Sequence, residues 1–139
     1  MKVYFAGSIR AGRIDAPVYQ AMIEYLSSFG EVLTGHVGDP SLTEKGEDGP
    51  NDRSIYDRDM AWLSTCDLVV AEVSVPSLGV GYELGRAVDL GKPVLCLYKS
   101  ESGRLLSAMV AGSPGIQAAQ YSSLDEAKAI LADFMKGRC

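Results

Sequence analysis

The chain has one histidine, one tryptophan and three cysteines in 139 residues. Cys66, Cys96 and Cys139 make no CxxC pair and His36 stands alone, so no zinc site of ordinary ligand spacing is expected. Cys66 and Cys96 sit in apolar runs and read as buried thiols of a reducing compartment, while Cys139 receives no role. No apolar run approaches the roughly 18–20 residues of a membrane span. The first residues lack a signal-peptide pattern, and the expected location is cytoplasmic. Positive charge is in deficit, 13 Lys and Arg against 18 Asp and Glu, for a net charge of −5. That balance excludes a nucleic-acid polymer as partner, because its phosphate backbone demands a basic surface. A small anion needs only a few local donors and stays open. The Walker A and GxGxxG phosphate motifs, internal repeats and low-complexity segments are also missing.

What is present is an alternation of short apolar runs and amphipathic segments. Lys2–Ala6 reads as a first strand ended by Gly7. Asp15 and Pro17 open a helix whose Val18, Met22, Tyr25, Leu26 and Phe29 recur at helical spacing, and Gly30 stops it. Glu31–Thr34 reads as a second strand. The polar segment Gly35–Arg53 reads as a variable loop or lid, since structureless loops of that length are usually functional or mobile. Ser54–Asp57 resembles a capping box, followed by a helix with Ile55, Asp59, Trp62, Leu63 and Cys66 on one face. Leu68–Glu72 is a third strand, Tyr82–Leu90 a helix ended by Gly91, and Pro93–Tyr98 a fourth strand. Arg104–Val110 is a short helix and Ile116–Ala119 a fifth strand. Ser123 with Glu126 caps a last helix that turns Leu124, Ala127, Ile130, Leu131 and Phe134 inward.

The order βαβαβαβαβα implies one domain over residues 1–139. It is a doubly wound, Rossmann or flavodoxin-like α/β fold with a five-stranded parallel sheet of order 2-1-3-4-5 and helices on both faces. Its switch point lies between strands one and three. The loops Gly7–Arg13 and Val73–Gly81 border that crevice, where such sheets bind ligands.

Those two loops carry the candidate chemistry. Ser8, the loop amides and the Arg10 guanidinium suit a phosphate, with Arg13 close by, although a surface turn with solvated arginines fits the same residues. Ser77, Gly79 and Gly81 offer a second anion-binding turn, or a turn that needs glycine for shape alone. Glu83 is a first-turn acid favoured by the helix dipole, or a catalytic carboxylate. Asp59 is a carboxylate on an apolar stripe, which is costly unless it is satisfied or has work to do. Two such carboxylates suit N-glycosidic cleavage through an oxocarbenium-like state, and a retaining mechanism calls for a separation of roughly 5–5.5 Å. Tyr4 and His36 lie at or past strand ends, where they line a pocket or simply pack.

YFAGSIR at Tyr4–Arg10, the Asp59-x-x-Trp62-Leu63 helix, VVAEV at Val69–Val73, PSLGVGYELGRAV at Pro76–Val88, GKP at Gly91–Pro93 and SGRLLSAM at Ser102–Met109 closely resemble the 2′-deoxynucleoside 5′-phosphate N-hydrolases of the nucleoside 2-deoxyribosyltransferase superfamily. The resemblance runs from Lys2 to about Ile116 and is weaker over Gly35–Arg53 and the last helix. It implies hydrolysis of a deoxyribonucleoside 5′-monophosphate to free base and 2-deoxyribose 5-phosphate. By the resemblance Glu83 is the nucleophile that forms a glycosyl-enzyme intermediate, and Asp59 positions the sugar or assists proton transfer. Tyr4 borders sugar and base. Gly7, Ser8, Ile9, Arg10, Ser77 and Gly79 form the phosphate cradle, and Arg13 and His36 lie close to the ligand. Ser107 reaches the phosphate of the neighbouring subunit in a homodimer. The resemblance implies no metal or organic cofactor, and it also admits a nuclear location. On physical grounds, the helix N-terminus is expected to keep Glu83 ionised, and the apolar surroundings to raise the Asp59 pKa.

Three other readings stay open at this level. A nucleoside 2-deoxyribosyltransferase would use the same glutamate, but Arg10 with serines on both loops suits a 5′-phosphate better than a 5′-hydroxyl. A ribonucleotide phosphoribohydrolase would carry a PGGxGT turn, which is absent. A nucleotide-sensing module would bind without turnover.

Overall fold

Five apolar segments pair into one parallel sheet of order β2-β1-β3-β4-β5 in the computed structural model, which describes all of Met1–Cys139. The strands are β1 (Lys2–Ala6), β2 (Glu31–Val32), β3 (Leu68–Glu72), β4 (Val94–Lys99) and β5 (Ile116–Tyr121). The helices are α1 (Ala16–Leu26), α2 (Asp52–Thr65), α3 (Leu78–Asp89), α4 (Ala108–Ala111) and α5 (Leu124–Met135). The expected doubly wound order is therefore the observed one.

Side-chain alternation divides the core between the two faces of the sheet. Val3, Phe5, Val70, Leu95 and Leu97 pack with Tyr19, Met22 and Leu26 of α1 and Leu131 and Phe134 of α5. Tyr4, Ala6, Val69, Ala71 and Cys96 face the other way, onto Leu63 of α2 and Val80, Leu84 and Ala87 of α3. The central strand β3 is buried along its whole length, as a parallel strand covered on both faces must be. The thiols of Cys66 and Cys96 are buried and unpaired, as their apolar context predicts. No helix is long and apolar enough to cross a membrane.

Several boundaries differ from expectation, and each has a local cause. Helix α2 starts at Asp52, because Asn51 rather than Ser54 is the N-cap and its Oδ1 accepts the Ser54 N–H at 2.8 Å. Helix α3 starts at Leu78 rather than Tyr82, because the Ser77 hydroxyl caps it by accepting the Val80 N–H at 3.3 Å. Gly79 and Gly81 are therefore helical residues, and the second crevice loop shortens to Val73–Ser77. Asp15 makes no cap hydrogen bond; its carboxylate pairs with Lys99 instead. Strand β2 has two residues, and Gly35–Gly38 forms a 3-10 turn within the expected loop. The short apolar helix contracts to Ala108–Ala111 behind its cap, Ser107.

Candidate active site

At the carboxyl edge of β1 and β3 a cleft of about 630 Å³ opens between α2, α3 and the loop after β1. Its wall includes Gly7, Ile9 and Arg10 from that loop, Asp59 from α2, and Ser77, Gly79 and Glu83 from α3. Glu83 is the sixth residue of α3, beyond the first turn, so the helix dipole does little to keep it ionised. Burial dominates instead and pushes its pKa up to about 7, with the negative charge of Asp59 adding to the rise. This corrects the expectation of a carboxylate held in its ordinary range. Beneath it lies Tyr4 on β1, only 1 % exposed, whose hydroxyl approaches the Glu83 carboxylate and favours its ionised form. The carboxylate in turn raises the phenol, which burial has already pushed far above its ordinary value.

Asp59 is half-buried on the α2 face of the cleft. Burial raises its pKa, as the apolar stripe predicts, and the Arg58 guanidinium opposes that rise. The two carboxyls thus share one cleft and feel one another's charge.

The opposite end of the cleft offers donors. The amides of Leu78 and Gly79 precede the first intrahelical bonds of α3 and are free for an anion. A Cβ on Gly79 would stand 3.9 Å from the Ser77 Oγ and 4.0 Å from the Glu83 Oε1, between the cradle and the carboxylate. Ser8 is fully buried; its N–H donates to the Tyr19 hydroxyl at 3.2 Å, and its own Oγ has no hydrogen-bond partner. Gly7 lies against the Tyr19 ring, where a Cβ would stand only 3.0 Å from ring carbons. Arg10 is half exposed and pairs with Asp52 at 2.8 Å. Such a surface pair contributes only about 0–1 kcal/mol, so an incoming dianion can take the guanidinium over.

Not every expected residue arrives at the cleft. Arg13 donates to the backbone oxygens of Ser8, Asp39 and Leu42, at 3.0–3.1 Å, and staples the loop after β1 to the following loop rather than lining the wall. His36 stands behind the cleft against Trp62, ring centroids 5.9 Å apart, and burial holds its pKa below the ordinary imidazole value. Ser107 caps α4 and lines a second groove of about 1010 Å³. That groove shares Ser77, Leu78, Val80 and Tyr82 with the cleft as a common wall. Sequence reasoning missed Glu47 and Arg58, which belong to the polar segment and to the exposed side of the helical pattern. It also missed Tyr56 and Tyr82, whose hydroxyls meet at 3.2 Å across α2 and α3. Only the charge of Glu47 within a loop facing the crevice signalled it in advance.

Residues 3–107 match the family model described as nucleoside 2-deoxyribosyltransferase. The chain belongs to the nucleoside 2-deoxyribosyltransferase family. Among its relatives, the Danio rerio protein named 5-hydroxymethyl-dUMP N-hydrolase is 49% identical, over 98% of this chain and 96% of its own. The Homo sapiens protein of that name is 52% identical over 80% of this chain and 64% of its own. A Nematostella vectensis protein named putative 2′-deoxynucleoside 5′-phosphate N-hydrolase 1 is 55% identical over 81% of this chain and 77% of its own. The solved structure of a Clostridium botulinum CMP N-glycosidase superposes with a TM-score of 0.68 over 96% of this chain and 99% of that one. At 18% identity it speaks for the shared deoxyribosyltransferase fold alone.

Proposed function

We infer that this chain hydrolyses the N-glycosidic bond of 2′-deoxynucleoside 5′-monophosphates, releasing the nucleobase and 2-deoxyribose 5-phosphate. One observation carries the reading. A glutamate poised near neutrality, in contact with a buried tyrosine hydroxyl, faces an anion cradle one helical turn away. Identity of 49% to a protein named an N-hydrolase, over 98% of this chain, supports it, and 5-hydroxymethyl-dUMP is the substrate that such relatives' names put first in line for testing.

In the proposed reaction the 5′-phosphate lies on the amides of α3, Ser77 and Arg10, and this remote contact aligns C1′. These are the phosphate contacts open to the cleft, since the Ser8 side chain is buried. The ionised Glu83 attacks C1′ as the bond to the base nitrogen breaks. The departing electron pair stays on the base, which takes a proton from Asp59 in its acid form. Water then attacks C1′ of the glycosyl ester, passing a proton to Asp59, and the Glu83 carboxylate is restored.

We further propose a homodimer in which Ser107 completes the neighbour's cradle. The second groove supports this, because it abuts the cleft and carries Leu78, Leu105 and Met109, 96, 100 and 83 % exposed. A monomer rarely leaves such a contiguous apolar patch in water.

The test is base release from deoxy- and ribonucleoside monophosphates, 5-hydroxymethyl-dUMP among them, and from unphosphorylated deoxynucleosides. Release from deoxy monophosphates alone, reduced about 10³-fold or more in Glu83→Ala, is the expected outcome. Acid quench should leave one deoxyribose phosphate on the Glu83 peptide. Turnover only with an added acceptor base would make this a transferase, and binding without turnover would make it a sensor.

A further inference from the structure

Arg58 has no part in the mechanism just given, yet it makes more side-chain contacts to charged groups than any other residue around the cleft. Its Nη1 and Nη2 donate to the two oxygens of Glu47 at 2.6 and 2.8 Å. Its Nε donates to the Asp59 Oδ1 at 2.9 Å. The guanidinium carbon lies 4.7 Å from the Trp62 ring centroid, one turn further along α2, and Nη2 is 3.5 Å from the His36 Nε2. Consecutive residues of a helix point about 100° apart and do not ordinarily meet. Arg58 reaches its neighbour Asp59 only because its planar fork is folded back, stacked on Trp62 and fixed by Glu47.

The loop that carries Glu47 is fastened at its ends by Arg13, which binds the Asp39 and Leu42 oxygens, and by the Asn51 cap of α2. Its middle is held by Arg58, with Gly46 lying against Arg10. Without that cation, two half-buried carboxylates, Glu47 and Asp59, would face one another. Each disfavours the other's charge, and the loop would lift.

We propose that Arg58 is a positioning residue: one guanidinium aims the Asp59 carboxylate into the cleft and latches the Glu47 loop over it, so that placing the acid and closing the loop are a single event. The part of this that concerns catalysis rests on the function proposed above. The groups facing Asp59 are Arg58 on its own helix, Glu47 on the loop, His36 on the 3-10 turn, Glu83 on α3 and Tyr4 on β1. Of these, Arg58 and His36 oppose the burial that raises Asp59, and Arg58 does so most strongly.

The experiment uses the full chain in wild-type, Arg58→Gln, Arg58→Lys and Glu47→Gln forms. The Asp59 carboxyl is followed by ¹³C NMR titration, its resonance identified by its loss in Asp59→Asn. Amide exchange is followed over residues 44–48. Arg58→Gln should raise the Asp59 midpoint by about one unit and speed loop exchange about tenfold or more. Arg58→Lys should keep the midpoint near wild type, through its charge, but still free the loop, because an ammonium cannot hold both carboxylates in the fork. Glu47→Gln lies outside α2 and tests the latch without disturbing the helix; it should free the loop while Asp59 stays paired. In base release, Arg58→Gln should lower kcat about tenfold and shift the limb assigned to Asp59 to higher pH. An unmoved Asp59 midpoint in Arg58→Gln, or unchanged loop exchange in both Gln variants, overturns the proposal. Neither measurement depends on turnover, so absence of base release in wild type would count against the proposed function alone.

Discussion

The proposed chemistry turns on Glu83 and the Tyr4 hydroxyl beneath it. A carboxyl whose pKa is pushed up to about 7 is about half ionised at neutral pH, and in the proposed mechanism the ionised half is the nucleophile. Activity should therefore rise with pH through about 7 on the acid limb of kcat/KM. The Tyr4 hydroxyl favours the carboxylate, so removing it must raise the pKa further and move that limb to higher pH. Tyr4→Phe is accordingly expected to shift the limb up by about one unit and to lose about tenfold in kcat/KM at neutral pH, with less loss at alkaline pH. A pH profile of uniform loss, its limb unmoved, would mean that Tyr4 packs against the sugar without tuning Glu83. Residue identity made these two groups legible in the sequence. Their contact was not, because Tyr4 meets Glu83 only once β1 pairs with β3 in the register Tyr4 opposite Val69 and α3 is laid across both.

Helix α3 shows where reading by element type fails and why. Glycine costs about 1 kcal/mol in a helix interior, so PSLGVGYELGR reads as a turn. The Ser77 cap and the burial of Val80, Leu84 and Ala87 outweigh that penalty, and Gly79 leaves the first turn of α3 bare, where an anion can approach the backbone. The same limit applies to β3. Its apolar run is plain in the sequence, but Glu72 at its end is fully buried on the side away from the cleft. There it accepts the Ser74 N–H at 2.6 Å and the Tyr121 hydroxyl at 3.3 Å, near Asp15 and Lys99. Burial raises the Glu72 pKa above its unfolded value. The folded state then holds this proton more tightly than the unfolded chain, so the contribution to stability is full at low pH and is lost as pH rises out of the ordinary carboxylate range. Glu72→Gln removes that dependence. Denaturant melts from pH 4 to 8 should show the variant gaining steadily on wild type as pH rises. A constant difference would place the ionisation of Glu72 outside the folding equilibrium.

At the scale of the whole molecule, the βα alternation makes the sheet order and the loop after β1 legible in the sequence, while the second crevice loop is shorter than expected because α3 begins at Leu78. The sequence has no such handle on what surrounds the carboxyl edge. In the sequence Leu105, Leu106, Met109 and Val110 suit a core or a subunit contact alike, and only the fold leaves Leu105 and Met109, together with Leu78, in water around a groove that borders the cleft. That groove makes the proposed dimer testable by complementation. If Ser107 serves the neighbouring site, each site combines Glu83 of one subunit with Ser107 of the other. Ser107→Ala should lose about 10–100-fold in activity, the worth of one hydrogen bond to a charged group. Glu83→Ala should be inactive by the proposed mechanism. A heterodimer of the two variants then has one site with both lesions and one with neither. Random pairing at equal amounts makes half of the dimers heterodimers, and about a quarter of wild-type activity should return on co-expression. If Ser107 instead serves its own cleft, every site keeps a lesion and nothing returns beyond the average of the two variants. Sedimentation at the assay concentration separates that outcome from simple failure to associate, because a monomer cannot complement under either arrangement. Leu105→Asp, which sets a charge into the apolar patch, should abolish association and complementation together. Retained activity in that monomer would confine the whole catalytic site to one chain.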